Sequence, residues 1–136
     1  MSARGAIENV LNRYSIAYDD NDMAEMADTF TEDAVLTMRI AGGDLIGPFE
    51  GKAGVMKLMT DSLASQTDQR RHVTTNMAIR KETEDAATVS SYLTLISVKD
   101  GKATVLSTAK YEDELVREGD GAWRFTKRHI ELDLPY

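Results

Sequence analysis

Hydrophobic residues recur every three or four positions in three stretches of the first half of the chain. This spacing gathers apolar side chains on one face of an α-helix, so it predicts helices over residues 4–20, 23–30 and 52–65. Asn21 or Asp22 is suited to cap the second helix, because a short polar side chain there can accept from free backbone amides. The buried stripes predicted for the three helices are Ile7, Val10, Leu11, Tyr14 and Tyr18, then Met23, Met26, Ala27 and Phe30, and finally Val55, Met56, Met59 and Leu63.

Strand-like segments make up most of the remaining chain. A first strand is predicted over residues 34–38, with a short returning strand at 45–46 that Gly47 and Pro48 close. The sequence Asp100-Gly101 favours a type I′ turn, so the strands on either side of it should form a hairpin. Four long strands are predicted in the second half, as an antiparallel meander over residues 72–81, 86–98, 103–117 and 123–133.

The order of these elements indicates the fold class. Helices that precede a run of antiparallel strands are typical of α+β packing, in which the helices lie on one concave face of a curved sheet. A chain of 136 residues is long enough for one hydrophobic core and too short for two. We therefore expect a single domain over residues 1–136.

Composition narrows the range of partners and sites. The net charge is −7, from 16 basic and 23 acidic residues, and no Lys/Arg-rich face is present, which argues against nucleic acid as a partner. The absence of cysteine removes disulfides and thiolate chemistry. No apolar run approaches the roughly 20 residues that cross a bilayer, and no secretory signal is recognisable, so we expect no membrane association and a cytoplasmic protein. Two histidines far apart in sequence give no metal-binding pattern, so we expect no metal.

The stretch from His72 to Ile79 is the most informative for function. It contains one of only two histidines, and side chains alternate along a strand with a period of two. A titratable ring and a side-chain amide on one strand face would require a polar cavity in front of them. The alternation predicts one face with His72, Thr74, Asn76 and Ala78, and an opposite face with Val73, Thr75, Met77 and Ile79.

Several short motifs, taken in order, resemble the SnoaL-like branch of the NTF2-like superfamily over about residues 5–133. The resemblance implies a cone-shaped fold, in which three N-terminal helices pack on a curved, mainly antiparallel sheet and enclose a pocket. The motifs are Tyr18-Asp19-Asp20-Asn21-Asp22, Phe30-Thr31-Glu32-Asp33-Ala34, Gly47-Pro48-Phe49-Glu50-Gly51, His72-Val73-Thr74-Thr75-Asn76, Tyr111-Glu112-Asp113 and Gly121-Ala122-Trp123-Arg124-Phe125.

Scytalone dehydratase and related small dehydratases are the most similar enzymes. In them a Tyr-Asp pair at the end of the first helix and a strand histidine line the pocket, and that pattern matches Tyr18, Asp19 and His72. The second strand histidine of those enzymes has no counterpart between residues 103 and 117, and His129 is not an obvious replacement. Steroid isomerases are less similar, because only Tyr14 matches their pattern as an oxyanion donor.

The resulting hypothesis is a cofactor-independent lyase or isomerase, of dehydratase or cyclase type, acting on a small organic substrate. An imidazole can take and give a proton near neutral pH, and a hydrogen bond donated by the ring of His72 to Asp19 would orient that ring. Tyr14, Tyr18 or Asn76 could donate to a developing oxyanion. Met56 and Tyr111 complete the candidate substrate-binding residues.

Each of these assignments has a structural alternative. His72 could bond to a backbone carbonyl, the tyrosines could serve packing alone, and the protein could be a non-catalytic ligand-binding or assembly subunit, as the small subunits of ring-hydroxylating dioxygenases are. That alternative predicts a pocket filled by Met, Phe and Leu side chains. In either case we expect self-association, because residues such as Leu93, Val105 or Trp123 would otherwise leave an apolar patch on the outer sheet face. The family resemblance implies a homodimer, with a trimer as second choice.

Overall fold

The computed structural model describes residues 3–136, which form three helices and six strands. The helices are α1 (Arg4–Asp19), α2 (Met23–Asp28) and α3 (Gly51–Ala64). The strands are β1 (Phe30–Ile40), β2 (Ile46–Glu50), β3 (Gln69–Glu82), β4 (Ala86–Lys99), β5 (Lys102–Arg117) and β6 (Trp123–Leu132).

All six strands form one mixed sheet in the order β2-β1-β6-β5-β4-β3. The antiparallel meander predicted for the last four strands is confirmed. The first strand pairs with the last one in parallel, and β2 pairs antiparallel with β1 at the sheet edge. Register shifts interrupt the pairs, and such bulges bend a sheet so that one face becomes concave.

Two predicted boundaries near the first strand are wrong. Residues 29 and 30 were expected to continue the second helix, but α2 ends at Asp28 and β1 begins at Phe30. The amide of Phe125 donates to the Thr29 carbonyl at 2.8 Å, so pairing with the distant last strand overrides the local helical pattern. The second strand also runs through Gly47 and Pro48 to Glu50, beyond the predicted end.

The helices cover the concave face as expected for α+β packing. α1 lies against β3, and α3 lies against β1. The stripe predicted for α1 is buried, and Asp22 caps α2 by accepting from the amide of Glu25 at 3.1 Å. No helix in the described part of the chain is long and apolar enough to span a membrane.

A bulge in β3 corrects the predicted alternation. Asn76 has a φ of 56°, in the left-handed region that Asn tolerates better than most residues, and the register with β4 shifts between Thr75 and Ala78. The side chain of Asn76 is exposed and does not follow His72 and Thr74 toward the interior. The face prediction is therefore right up to Thr74 and wrong for Asn76.

Only part of the expected apolar outer patch exists. Leu93 and Trp123 are buried, because their side chains belong to the core, while Val105 is 61% exposed. Val73 on β3 and Tyr92 on β4 are also exposed, so the outer face of β3–β5 carries separate apolar residues among charged ones.

An ion pair lies at the centre of the core. Arg128 donates from Nε and Nη2 to the carboxylate of Asp113 at 3.0 and 3.3 Å, and both side chains are fully buried. Burial raises the pKa of Asp113 to about 6 against the opposing effect of Arg128, so the pair is ionised at neutral pH. The guanidinium also contacts the rings of Tyr111, Tyr14 and Phe125, at 3.6, 4.2 and 4.5 Å from their centroids.

Breaking this pair should cost much more stability than replacing it. We expect Asp113→Asn to lower the free energy of unfolding by about 3–5 kcal/mol, because the charge of Arg128 is then buried without a partner. The double variant Asp113→Leu/Arg128→Met should recover most of that loss, as measured by urea unfolding at pH 7.5.

Glu112→Gln is the matched control, since Glu112 is the next carboxylate along β5 but lies on the exposed side, next to Lys110. Its effect should stay below about 1 kcal/mol. A double variant as unstable as Asp113→Asn would contradict this account.

Candidate active site

The last residue of α1 and the fourth residue of β3 form a close Asp–His pair. Asp19 Oδ1 lies 2.6 Å from His72 Nδ1, and Asp19 Oδ2 accepts from the backbone amide of His72 at 2.9 Å. Both side chains are over nine-tenths enclosed, with exposed fractions of 8% for Asp19 and 9% for His72. The carboxylate therefore accepts hydrogen bonds from both the ring and the backbone of His72, and these two bonds fix the orientation of the imidazole.

This arrangement selects one tautomer of the neutral ring. An ionised carboxylate only accepts hydrogen bonds, so the proton of His72 lies on Nδ1, toward Asp19. No described residue bonds to Nε2, which keeps its lone pair. The ring is therefore set up to take a proton at Nε2 while Asp19 stabilises the imidazolium that results.

His72 lines a pocket between α1, α3 and the concave sheet face. The cavity volume is about 50 Å³, and the pocket is open to solvent on one side. Most of the wall is apolar or aromatic, with a few polar groups converging on it, as is usual in small-molecule sites. The lining residues are Tyr14, Tyr18, Met38, Leu58, Met59, Ser62, Arg70, His72, Leu93, Leu95, Tyr111, Ile130, Leu132 and Tyr136.

Two of the lining tyrosines keep hydroxyl hydrogens that could serve a ligand. The ring of Tyr18 lies 4.6 Å from the ring of His72, and its hydroxyl accepts from Gln66 Nε2 at 2.6 Å. Burial raises the pKa of Tyr18 to about 12, so the hydroxyl stays protonated and can still donate. The hydroxyl of Tyr14 donates only a long, weak hydrogen bond to the sulfur of Met59, at 4.0 Å, and burial raises the pKa of Tyr14 as well.

The structure brings together five of the seven predicted site residues. Tyr14, Tyr18, His72 and Tyr111 line the pocket, and Asp19 lies directly behind His72. Asn76 is displaced by the bulge and faces a separate surface groove beside Asn12. Met56 does not line the pocket; it is partly buried against the core, three residues before Met59, which does line it.

Sequence reasoning missed Arg70, the residue two positions before His72 on the same strand. The predicted strand began at residue 72, whereas β3 begins at Gln69, so Arg70 falls on the same side as His72. The alternation could have revealed it if the strand had been extended back by three residues. Tyr136, close to the end of the described chain, gave no periodic signal at all.

The second histidine lies on the other side of the sheet. His129 Nε2 donates to Glu131 at 2.7 Å, and His129 Nδ1 accepts from the hydroxyl of Thr37 at 2.6 Å. It does not line the pocket. Within residues 3–136, no group of three or more His, Asp or Glu side chains is arranged to hold a metal ion.

Comparison with known proteins assigns the family. A family model for the SnoaL-like domain matches residues 1–129. No curated protein gives a match. Solved structures with similar folds are numerous.

A protein of Novosphingobium aromaticivorans, provisionally described as an aromatic ring hydroxylase, is 29% identical over 97% of this chain and 90% of its own, with a TM-score of 0.79. A protein of Catenulispora acidiphila, solved in complex with S-DNPA, is 27% identical over 96% of this chain and 92% of its own, with a TM-score of 0.81. ActVI-ORFA of Streptomyces coelicolor is 22% identical, covers 98% of both chains at a TM-score of 0.82, and is similar in fold.

Replacing Asp19 by Asn should change the tautomer of His72. The amide offers one acceptor oxygen to two donors, so one N–H must face another donor unless the ring moves its proton to Nε2. We expect two-bond ¹H–¹⁵N spectra at pH 8 to show the Nδ1–H form in the wild type and a large loss of that form in Asp19→Asn. The unfolding free energy should also fall, by about 1–3 kcal/mol.

The variant His129→Gln identifies the signals, because it leaves His72 as the only histidine. It should not alter the His72 tautomer, since His129 lies on the opposite sheet face. An Nε2–H form in the wild type would contradict the geometry described for Asp19.

Proposed function

This chain belongs to the SnoaL-like domain family, and we propose that it is a cofactor-independent lyase or isomerase acting on a small cyclic carbonyl or hydroxy compound. The observation that carries the proposal is the Asp19–His72 hydrogen bond of 2.6 Å, with the ring of His72 on the wall of a largely apolar pocket that is open to solvent. Such a pair can move a proton without a metal or an organic cofactor.

The proposed reaction begins with His72. Its Nε2 takes a proton from a carbon next to the substrate carbonyl, and the electron pair of that C–H bond moves toward the carbonyl oxygen. Tyr18, or Tyr14 one turn earlier on α1, donates a hydrogen bond to the developing oxyanion, which lowers the barrier. The imidazolium then returns its proton, either to a departing β-hydroxyl in a dehydration or to another carbon in an isomerisation.

Related proteins support the ligand class. The protein of Catenulispora acidiphila was solved with the small organic molecule S-DNPA bound. The Novosphingobium relative is provisionally described as acting on aromatic rings. The apolar pocket wall, with its tyrosines, suits the chemistry of a ligand of this kind.

A non-catalytic role remains the competing proposal, and one observation favours the enzyme over it. His72 lines the pocket, bonds to Asp19 through Nδ1 and has no partner at Nε2 among the described residues, whereas both ring nitrogens of His129 are bonded away from the pocket. A binding subunit would need no such pair.

We also propose that the protein is a single-domain cytoplasmic homodimer that associates through the outer face of β3–β5. Val73, Tyr92 and Val105 expose 42%, 53% and 61% of their surfaces there. Pairing two such faces would remove this apolar area from water.

The enzyme proposal can be tested with two simple probes. Wild-type protein should accelerate the loss of water from 3-hydroxy-1-tetralone, followed by the fluorescence of 1-naphthol, or the exchange of the C2 protons of 1-tetralone in D₂O, followed by NMR. His72→Gln should lower kcat/KM by about 10²–10⁴, the usual contribution of a general base.

The control is His129→Gln, which removes the other histidine and should leave the rate unchanged. Wild-type protein that accelerates neither reaction, or a His72→Gln variant as active as the wild type, would refute this function and favour the binding subunit.

The dimer proposal has a separate test. Tyr92→Lys/Val105→Lys places two charges on the outer face, so we expect the wild type to sediment as a dimer and the variant as a monomer. Leu134→Lys, at an exposed apolar residue after β6, is the control and should stay dimeric. A trimeric wild type, or a dimeric double variant, would contradict the proposed interface.

A further inference from the structure

The pocket wall contains one cationic side chain. Among the described residues, Arg70 is the only lysine or arginine that lines it. Arg128 also lies near the tyrosines, but its charge is already balanced by the carboxylate of Asp113. The proton-transfer chemistry proposed above makes no use of Arg70.

Arg70 is held in place by a second carboxylate. Its Nε donates to Asp68 Oδ2 at 2.7 Å, and the hydroxyl of Ser97 on β4 donates to the same oxygen. The side chains of Arg70 and Asp68 are each only 10% exposed. Desolvation acts to raise the pKa of Asp68, but the hydrogen bonds from Ser97 and Arg70 lower it below its ordinary value. The carboxylate is therefore ionised, and it holds one side of the Arg70 guanidinium in place.

The other side of the Arg70 guanidinium forms no hydrogen bond with the described residues. No described residue accepts a hydrogen bond from Nη1 or Nη2 of Arg70, and the guanidinium carbon lies 5.9 Å from the centroid of the Tyr136 ring. Two parallel N–H groups match the two oxygens of a carboxylate, which is why arginine recognises such groups in a bidentate manner. Asp68 is therefore a positioning residue that presents this fork to the pocket.

The spacing between Arg70 and His72 sets a scale for the ligand. The two residues alternate onto the same side of β3, and two strand residues span roughly 7 Å. An anionic group bound at Arg70 would thus be separated from a carbon in front of His72 by about the width of one six-membered ring. With a net charge of −7, the protein as a whole repels anions, so such binding requires a local cation.

We propose that Arg70 binds a carboxylate of the substrate, which makes the substrate class a small cyclic carboxylic acid with its acidic C–H about one ring away from the carboxylate. The inference rests on the proposed function for the placement of the C–H at His72. The binding of the carboxylate itself does not depend on any reaction.

The test compares a charged ligand with its neutral isostere. Binding of 2-naphthoate and 2-naphthamide is measured by NMR titration and calorimetry at pH 7.5 for the wild type and for Arg70→Gln. We expect the wild type to prefer the carboxylate at least tenfold, and Arg70→Gln to lose that preference while binding the amide unchanged. Asp68→Asn should reduce the preference by a smaller factor, because the guanidinium loses its anchor.

Two further variants separate the explanations. Arg71→Gln removes the neighbouring arginine on the exposed side of β3 and should keep the full preference. His72→Gln should also keep the preference for the carboxylate, because this binding does not require the reaction. The preference can therefore be present in a protein without His72-dependent activity, and the two proposals can fail independently. The inference is overturned if the wild type binds no carboxylate up to millimolar concentration, if it shows no preference, or if the preference survives in Arg70→Gln.

Discussion

The interior is organised around a buried cation, the only fully buried lysine or arginine side chain within residues 3–136. The guanidinium of Arg128 on β6 is paired with Asp113 on β5 and contacts the rings of Tyr14 from α1 and Tyr111 from β5. Its Nη1 has no hydrogen-bond partner among the described residues, so the aromatic faces supply much of its stabilisation. Tyr14 and Tyr111 also form part of the pocket wall, so their contact with this charge fixes the position of that part of the wall.

The fold could be predicted well from the sequence because its periodicity is strong. Alternation and turn residues locate β3 to β6 to within three residues, and the helical stripes locate α1 and α3. The boundary at Phe30 could not be predicted in this way, because it depends on pairing with Phe125, 95 positions later. Local pattern also gave no sign that the first strand would lie beside the last, since neither strand carries a residue that specifies its neighbour.

The candidate site was predictable in part, and the failures share a physical cause. Asp19 and His72 were accessible because a motif resemblance places them, whereas Asn76 was misplaced because a bulge reverses its side chain and no periodic rule anticipates bulges. Met56 and Met59 both belong to the helical stripe predicted for α3, so the sequence pattern does not show which of them lines the pocket. Only the packing of the folded chain distinguishes them. Arg70 was missed because its importance depends on which hydrogen-bond donors remain free once Asp68 and Ser97 have been placed.

The parallel pairing of β1 with β6 has a consequence for how the chain reaches this structure. Partners such as Leu36 and Arg128 are 92 positions apart, so the contact order is high and loop closure is slow. During synthesis β1 would emerge from the ribosome long before its central neighbour exists, with Leu36 and Ala34 uncovered in the meantime. The meander from β3 to β6 pairs residues at most about 30 positions apart, so it can assemble before β1 docks onto the edge of β6.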